Sequence, residues 1–304
     1  MILQIDARYV RWMLLFFALV SLIRGHNYTW GGFIGGLLAV LALVYVVFQY
    51  PKSGIFLLII MAFFSIGVGR YVPAPWGLSI DALLVLIYLA LFFKGFAHKI
   101  PWHKAKSSLT IVVTIWMAYI LLQLGNPEAL SREAWFYAMR GVALYQFLAI
   151  PLLFVLFNKR KDLHIFFIIW GVISVLGTLK GFQQFHFGVD PFEQRWLDMG
   201  GAETHILFGK LRIFSFYSDA GQFGASQAHT GVVFGILAVF KRSNAKLRAF
   251  FAFVAMAGFF GMLISGTRGA IAVPAMGGML LLVLRKNIVV LILGGLLILA
   301  TYIF

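Results

Sequence analysis

The chain has no cysteine, and only 12% of its 304 residues are charged. The first absence excludes disulfides, thiolate nucleophiles, cysteine-ligated zinc and iron–sulfur clusters. The second excludes an ordinary soluble domain, in which about a quarter of the residues carry charge. Acids are scarcer than bases, with 10 Asp and Glu against 25 Lys and Arg. Walker, His-Glu-x-x-His and Gly-x-Ser-x-Gly motifs are missing too, and the 7 histidines are scattered, so nothing points to nucleotide or metal chemistry or to a cofactor.

What is present is apolar. Hydrophobic residues make up 62% of the chain and glycines number 31. Since a spanning helix needs about 20 apolar residues, the expected fold is all-α: a polytopic integral membrane protein of about eleven helices, with residues 1–304 forming a single transmembrane domain. Apolar runs fall near 12–23, 31–49, 54–69, 78–93, 109–124, 142–157, 163–179, 223–240, 249–264, 270–284 and 288–304. The first follows Arg8 and Arg11 without a small-residue cleavage site, and reads as an uncleaved signal anchor or an interfacial helix. Gly31, Gly32, Gly35 and Gly36 form two overlapping Gly-x-x-x-Gly pairs, the pattern of close helix packing. Trp30, Trp76, Trp102 and Trp135 stand at expected helix ends as interfacial anchors.

The +15 charge would suit nucleic acid in a soluble protein, but its placement argues otherwise. Loops on alternate sides of these runs divide the charge into +14, mostly in 94–106, 159–161 and 241–248, and +1 on the other side. By the positive-inside rule the N-terminus is cytoplasmic, and no nucleic-acid partner is expected. Two outer loops stand out. The segment 125–141 reads as a turn at Asn126-Pro127 and a helix cap at Ser131 leading to Arg140. The segment 181–222 is long, charged and too aromatic for a disordered tail, so it is expected to fold onto the membrane face as amphipathic pieces.

Two outer stretches carry candidate chemistry. In Ser265-Gly266-Thr267-Arg268-Gly269-Ala270, Ser265 or Thr267 can cap the next helix, whose N–H groups and positive dipole end then join the Arg268 guanidinium in an anion site. In residues 211–224, Arg212, Ser215 and Asp219 precede the helix near 223. Two arginines at one membrane depth suit a diphosphate, because guanidinium offers planar bidentate contacts and keeps its charge. The competing reading is that each arginine snorkels to headgroups. His229, in a polar stretch with Ser226, Gln227 and Thr230, is expected to face a bundle cavity, either as a functional group or as a hydrogen-bonded structural histidine.

These two stretches resemble the signatures of the O-antigen ligase and O-antigen polymerase superfamily, over about 20 residues in a similar topology. The resemblance implies a GT-C-like helical bundle in the bacterial inner membrane. It implies transfer of a glycan from a polyprenyl diphosphate carrier, on the periplasmic face and without a metal, to lipid A core, a growing glycan or a protein. Arg212 and Arg268 would be the catalytic pair on the diphosphate, with Ser215, Asp219, His229, Ser265 and Thr267 binding substrate beside them. Similar enzymes carry a further periplasmic loop with an essential histidine, and this chain stops at Phe304 without it. The expectation is a chain truncated before its general base; a complete short homologue using His205 or His229 is the alternative. A transporter or flippase for a lipid-linked or anionic solute is the competing function. A structural membrane partner, besides the membrane lipids, is the third.

Overall fold

The computed structural model describes residues 30–285, apart from 73, 75, 129–130, 208 and 241–244. It is 85% helical, and six of its helices are long and apolar enough to cross a membrane. It is an all-α membrane protein. The anchor reading of 12–23, the last apolar run at 288–304 and the ending at Phe304 lie outside the described residues.

By internal contacts the chain falls into two units, one reaching Leu58 and resuming over Ser79–Lys159, the other comprising Ile59–Leu78 and the described residues from Arg160 onward. In chain order the helices are α1 (Trp30–Gln49), α2 (Pro51–Tyr71), α3 (Trp76–Ala97), α4 (Ser108–Leu122), α5 (Arg132–Met139) and α6 (Tyr145–Leu156). They continue as α7 (Arg160–Phe187), α8 (Pro191–Trp196), α9 (Ala202–His205), α10 (Ala220–Phe240), α11 (Ala245–Ile264) and α12 (Ala272–Arg285). Among the described residues the sheet is minimal: β1 (Ile206–Leu207) pairs antiparallel with β2 (Lys210–Leu211).

In the first unit the buried side chains are aliphatic, among them Ile55, Leu84, Ile87 and Leu152. α2 and α3 meet at Gly54, where a Cβ would lie 2.7 Å from Ile87 Cγ1. α5 starts at Arg132, ten residues before the expected span, with Ser131 Oγ accepting from Ala134 N at 3.1 Å as its cap. A π turn at Arg140–Leu144 joins it to α6 as one continuous span, Arg132–Leu156. A π turn leaves carbonyls out of the usual ladder, and here Val142 O accepts from Trp116 Nε1 at 3.0 Å. Arg140 is paired with Asp81 of α3 and donates to Tyr145 Oη at 3.1 Å. Most of the expected loop 125–141 is therefore helix, because its polar arginine has a carboxylate to meet.

The second unit is built on small and polar residues. Gly171, Ser174, Gly177, Thr178, Gly181 and Gln184 are all buried along α7. Their spacing of three and four puts them on one helix face, and that face lets neighbouring backbones approach closely. The approach is tightest between α10 and α11, where a Cβ on Gly258 would lie 2.8 Å from Gln227 O and Gly231 N. Of the Gly31–Gly36 quartet expected to do this, Gly36 meets nothing within 4 Å. Among the described residues, close-packing glycines lie further along the chain, at Gly54, Gly231, Gly258 and Gly261. Polar groups at the contact satisfy one another: Ser174 Oγ sits 2.9 Å from Thr230 Oγ1, Gln227 Nε2 donates to Ser174 O at 3.1 Å, and Thr178 Oγ1 donates to Ala257 O at 3.1 Å. α7 also runs to Phe187, so the segment expected to be loop from 181 begins seven residues later. At about 1.5 Å per residue, 28 residues exceed the roughly 30 Å hydrocarbon core.

Candidate functional site

The two arginine stretches meet at one end of the second unit. Thr267 Oγ1 accepts from Arg212 Nη2 at 3.0 Å and donates to Ala220 O, the first residue of α10, at 2.9 Å. Ser265 lies against the same helix, so closely that a Cβ on Gly224 would collide with its Oγ. The turn after α11 and the segment before α10 thus share a hydroxyl and a backbone contact, although 55 residues separate Arg212 from Thr267. Arg268 follows Thr267 directly, is exposed, and holds no hydrogen bond or ion pair among the described residues. Arg212 is half-buried, with one of its five N–H donors on Thr267.

The supporting residues are arranged differently from the sequence expectation. Neither Ser265 nor Thr267 caps an α-helix by its side chain: residues 268–271 form a 3-10 turn with no side-chain cap. Ser265 is buried; its hydroxyl donates to Met262 O at 2.7 Å and accepts from Thr267 N at 3.2 Å, which closes the turn at Gly266, φ 64°. Nor is the start of α10 open to a ligand. It begins at Ala220, and Asp219 Oδ1 already accepts from Gln222 N at 2.8 Å while Ser218 Oγ donates to Oδ2 at 2.7 Å. Burial pushes the Asp219 carboxyl up, but these bonds, another from Gly221 N and the nearby His205 outweigh it and hold the group below the usual carboxylate range. Asp219 is an ionised cap. The start of α10 therefore leaves no open cap beside Arg212.

Ser215, expected to bind substrate, is fully buried with its Oγ donating to Gly177 O at 2.6 Å. It is the only non-glycine with positive φ among the described residues, at 53°. Such a conformation persists only where surrounding contacts over-determine it, and they do. Gln184 Oε1 accepts from Ser215 N at 2.7 Å and Phe214 N at 3.3 Å. Arg70 donates to Ser215 O at 2.7 Å and to Tyr217 O. The Arg70 guanidinium is itself held between the rings of Trp196 and Phe214, at 4.5 and 4.4 Å. Tyr217, pushed up to about 12 by burial against the weaker pull of Ser226 and Gln227, stays a neutral phenol beside Ser226 Oγ at 2.9 Å.

Beneath this segment Glu193, 1% exposed, accepts from Gln184 Nε2 at 2.7 Å and pairs with Lys180 at 3.2 Å. Lys180 also pairs with Asp190 at 2.8 Å, and Tyr71 donates to the same carboxylate. Asp190 and Glu193 form a capping box on α8. Burial raises the Asp190 carboxyl, yet Lys180, Tyr71 and the α8 backbone draw it down to about 2. Arg70, Lys180, Gln184 and Glu193 were not singled out from sequence. An ionisable or amide side chain in or beside an apolar run was the available signal.

Arg212 N donates to His205 O at 2.8 Å, so His205 adjoins Arg212 through the backbone, while its ring is turned to other partners. His205 is buried, Nε2 facing Ser218 O at 2.9 Å and Nδ1 facing Gly201 O at 2.9 Å and Thr204 Oγ1 at 2.8 Å. With both nitrogens engaged, it ties α9 to the segment before α10. His229 is exposed and stacked on Trp170, with centroids 5.6 Å apart. Its neighbours Gln227 and Thr230 face the interior in its place. Among the described residues no group of histidine and acid side chains could hold a metal ion. Compared with known proteins, the chain matches no family model, no curated protein and no solved structure.

Proposed function

We propose that the chain transfers a glycan from a polyprenyl diphosphate carrier to an acceptor hydroxyl on lipid A core, a growing glycan or a protein. The work is done at the periplasmic face of a bacterial inner membrane, and the N-terminus is cytoplasmic. The observation that carries this reading is the hydrogen bond from Arg212 to Thr267, which ties the Arg212 guanidinium to the residue directly before Arg268 at the end of an apolar bundle. In the reaction, the acceptor oxygen attacks the anomeric carbon and loses its proton to a base. The bond from that carbon to the diphosphate oxygen breaks, and both electrons leave with the diphosphate. The developing negative charge is what Arg212 and Arg268 neutralise, a task that guanidinium performs without changing protonation. His205, with both nitrogens engaged, and Asp219, held ionised as a cap, are unsuited to take the proton.

The test is Arg268→Lys, assayed for glycan transfer in cells. Lysine keeps the charge but loses the fork, so the reading expects activity to fall at least about tenfold, the cost of a lost charge-assisted contact of roughly 1.5–3 kcal/mol. An arginine that only snorkels to headgroups would be replaced without loss, and wild-type transfer by the lysine variant would refute the proposal.

A further inference from the structure

The first unit carries a surface unrelated to the arginines. α3 and the 3-10 turn Trp102–Ala105 border an apolar groove of about 710 Å³, lined by Val85, Tyr88, Leu89, Phe92, Phe96 and Trp102. The turn is fixed there because the Trp102 ring stacks on Tyr88 at 6.3 Å and 6°, while Tyr88 Oη donates to Leu148 O at 2.8 Å. From Val85 to Phe96 the helix rises about 16 Å, which is close to one leaflet of a roughly 30 Å hydrocarbon core. A second groove, of about 720 Å³, starts on the other side of the same turn and follows α4 along Lys106, Ser107, Thr110, Ile111, Thr114 and Ile115.

Between the two grooves the chain is basic only. His98, Lys99, His103, Lys104 and Lys106 are exposed, and there is no Asp or Glu anywhere from residue 82 to 127. The grooves are open and apolar, so each fits a flexible hydrocarbon chain rather than a folded partner. The uncompensated lysines at their common head fit a phosphate without a cationic substituent. We infer that residues 85–115 form a site for one anionic diacyl phospholipid, with an acyl chain in each groove and its phosphate against Lys99, Lys104 and Lys106. The charge selects the lipid: each Lys near an anionic headgroup is worth about 1 kcal/mol, roughly fivefold in affinity. A zwitterionic lipid fills the same grooves without that gain. The site is independent of the glycan-transfer reading, since it shares no residue with it.

The experiment is native mass spectrometry of the full chain in detergent, with phosphatidylglycerol and phosphatidylcholine of matched chains added in equal amounts. Wild type is expected to retain phosphatidylglycerol over phosphatidylcholine by on the order of a hundredfold, the product of three fivefold gains. The triple variant Lys99→Gln, Lys104→Gln, Lys106→Gln should bring that ratio to within about twofold while still retaining lipid. Gly95→Leu should do the reverse, lowering retention of both lipids and leaving the ratio unchanged. Gly95 lines the first groove, and a Cβ there meets only Ile100 Cγ1 at 4.0 Å, so the larger side chain fills the groove without displacing backbone. Each variant is compared as a monodisperse species. Equal retention of the two lipids by wild type, an undiminished preference in the lysine variant, or undiminished retention by Gly95→Leu would each overturn the proposal.

Discussion

In the second unit the buried polar side chains Gln184, Glu193, Ser215 and Gln227 all find partners, and even the unpartnered Nε of Arg70 lies between two aromatic rings. In the first unit Asp81 and Arg140 meet through one pair of atoms, leaving Asp81 Oδ1 and Arg140 Nε buried without hydrogen bonds. The most exposed of the six apolar spans among the described residues, Ser108–Gly125, of which only 11% is buried inside the protein, also lies in the first unit. The second unit uses small and polar residues to bring backbones together and hold an irregular segment still. A site needing fixed geometry belongs on the second kind of scaffold.

The sharpest way to break this contrast is Arg70→Ala. It leaves the carbonyls of Ser215 and Tyr217 without their buried donor and removes a cation from between two rings, a loss of about 2–5 kcal/mol. Thermal unfolding in detergent should show a Tm several degrees lower. An unchanged Tm would mean that the 213–217 segment holds its shape without Arg70.

Glycine substitutions give a smaller effect, with opposite signs at Gly258 and Gly36. Gly258→Ala forces a methyl group to within 2.8 Å of backbone atoms of α10 and should cost about 1–3 kcal/mol. Gly36→Ala meets open space and should be neutral or stabilising by up to about 1 kcal/mol. A Gly36 variant as damaging as the Gly258 variant would return the Gly-x-x-x-Gly pairs to the packing role read from sequence.

The smallest expected effect is on acid stability. Because Asp190 is drawn down to about 2, its ties to Lys180 and Tyr71 contribute fully above the unfolded carboxylate value of about 3.9. That contribution disappears as the pH falls from there toward 2. Asp190→Asn should lower stability at pH 6 by less than about 1 kcal/mol for a partly exposed pair, and should remove part of the decline between about pH 4 and 2. Parallel declines for the two proteins would show that the pair adds no stability.

Apolar runs located most of the helices, since nine of the eleven expected segments fall on helices of the described residues. What the runs missed were continuations through polar residues. α5 starts early and α7 ends late because Arg140 has Asp81, and Lys180 and Gln184 have Asp190 and Glu193. A hydropathy reading cannot see a partner brought in by the fold. The meeting of Arg212 with Thr267 was legible as two like motifs expected at one membrane depth. The inward turn of Ser215 was not, because it depends on a positive φ enforced by Arg70, 145 residues away. His229 was misplaced for a related reason: in Gln227-Ala228-His229-Thr230 the sequence shows which residues are polar, and only packing decides which of them face inward.

The central claim, that Arg212 and Arg268 form one diphosphate site, is tested most directly by binding. The full chain in detergent is titrated with a polyprenyl diphosphate and with the matching polyprenyl monophosphate, as wild type and with Arg212→Ala, Arg268→Ala and both changes together. The account predicts that wild type prefers the diphosphate. Each single change should weaken diphosphate binding at least about tenfold, and the double change should cost less than the product of the two, because both groups hold one ligand. Equal affinity of wild type for the two ligands, or diphosphate binding that survives both changes, would contradict it.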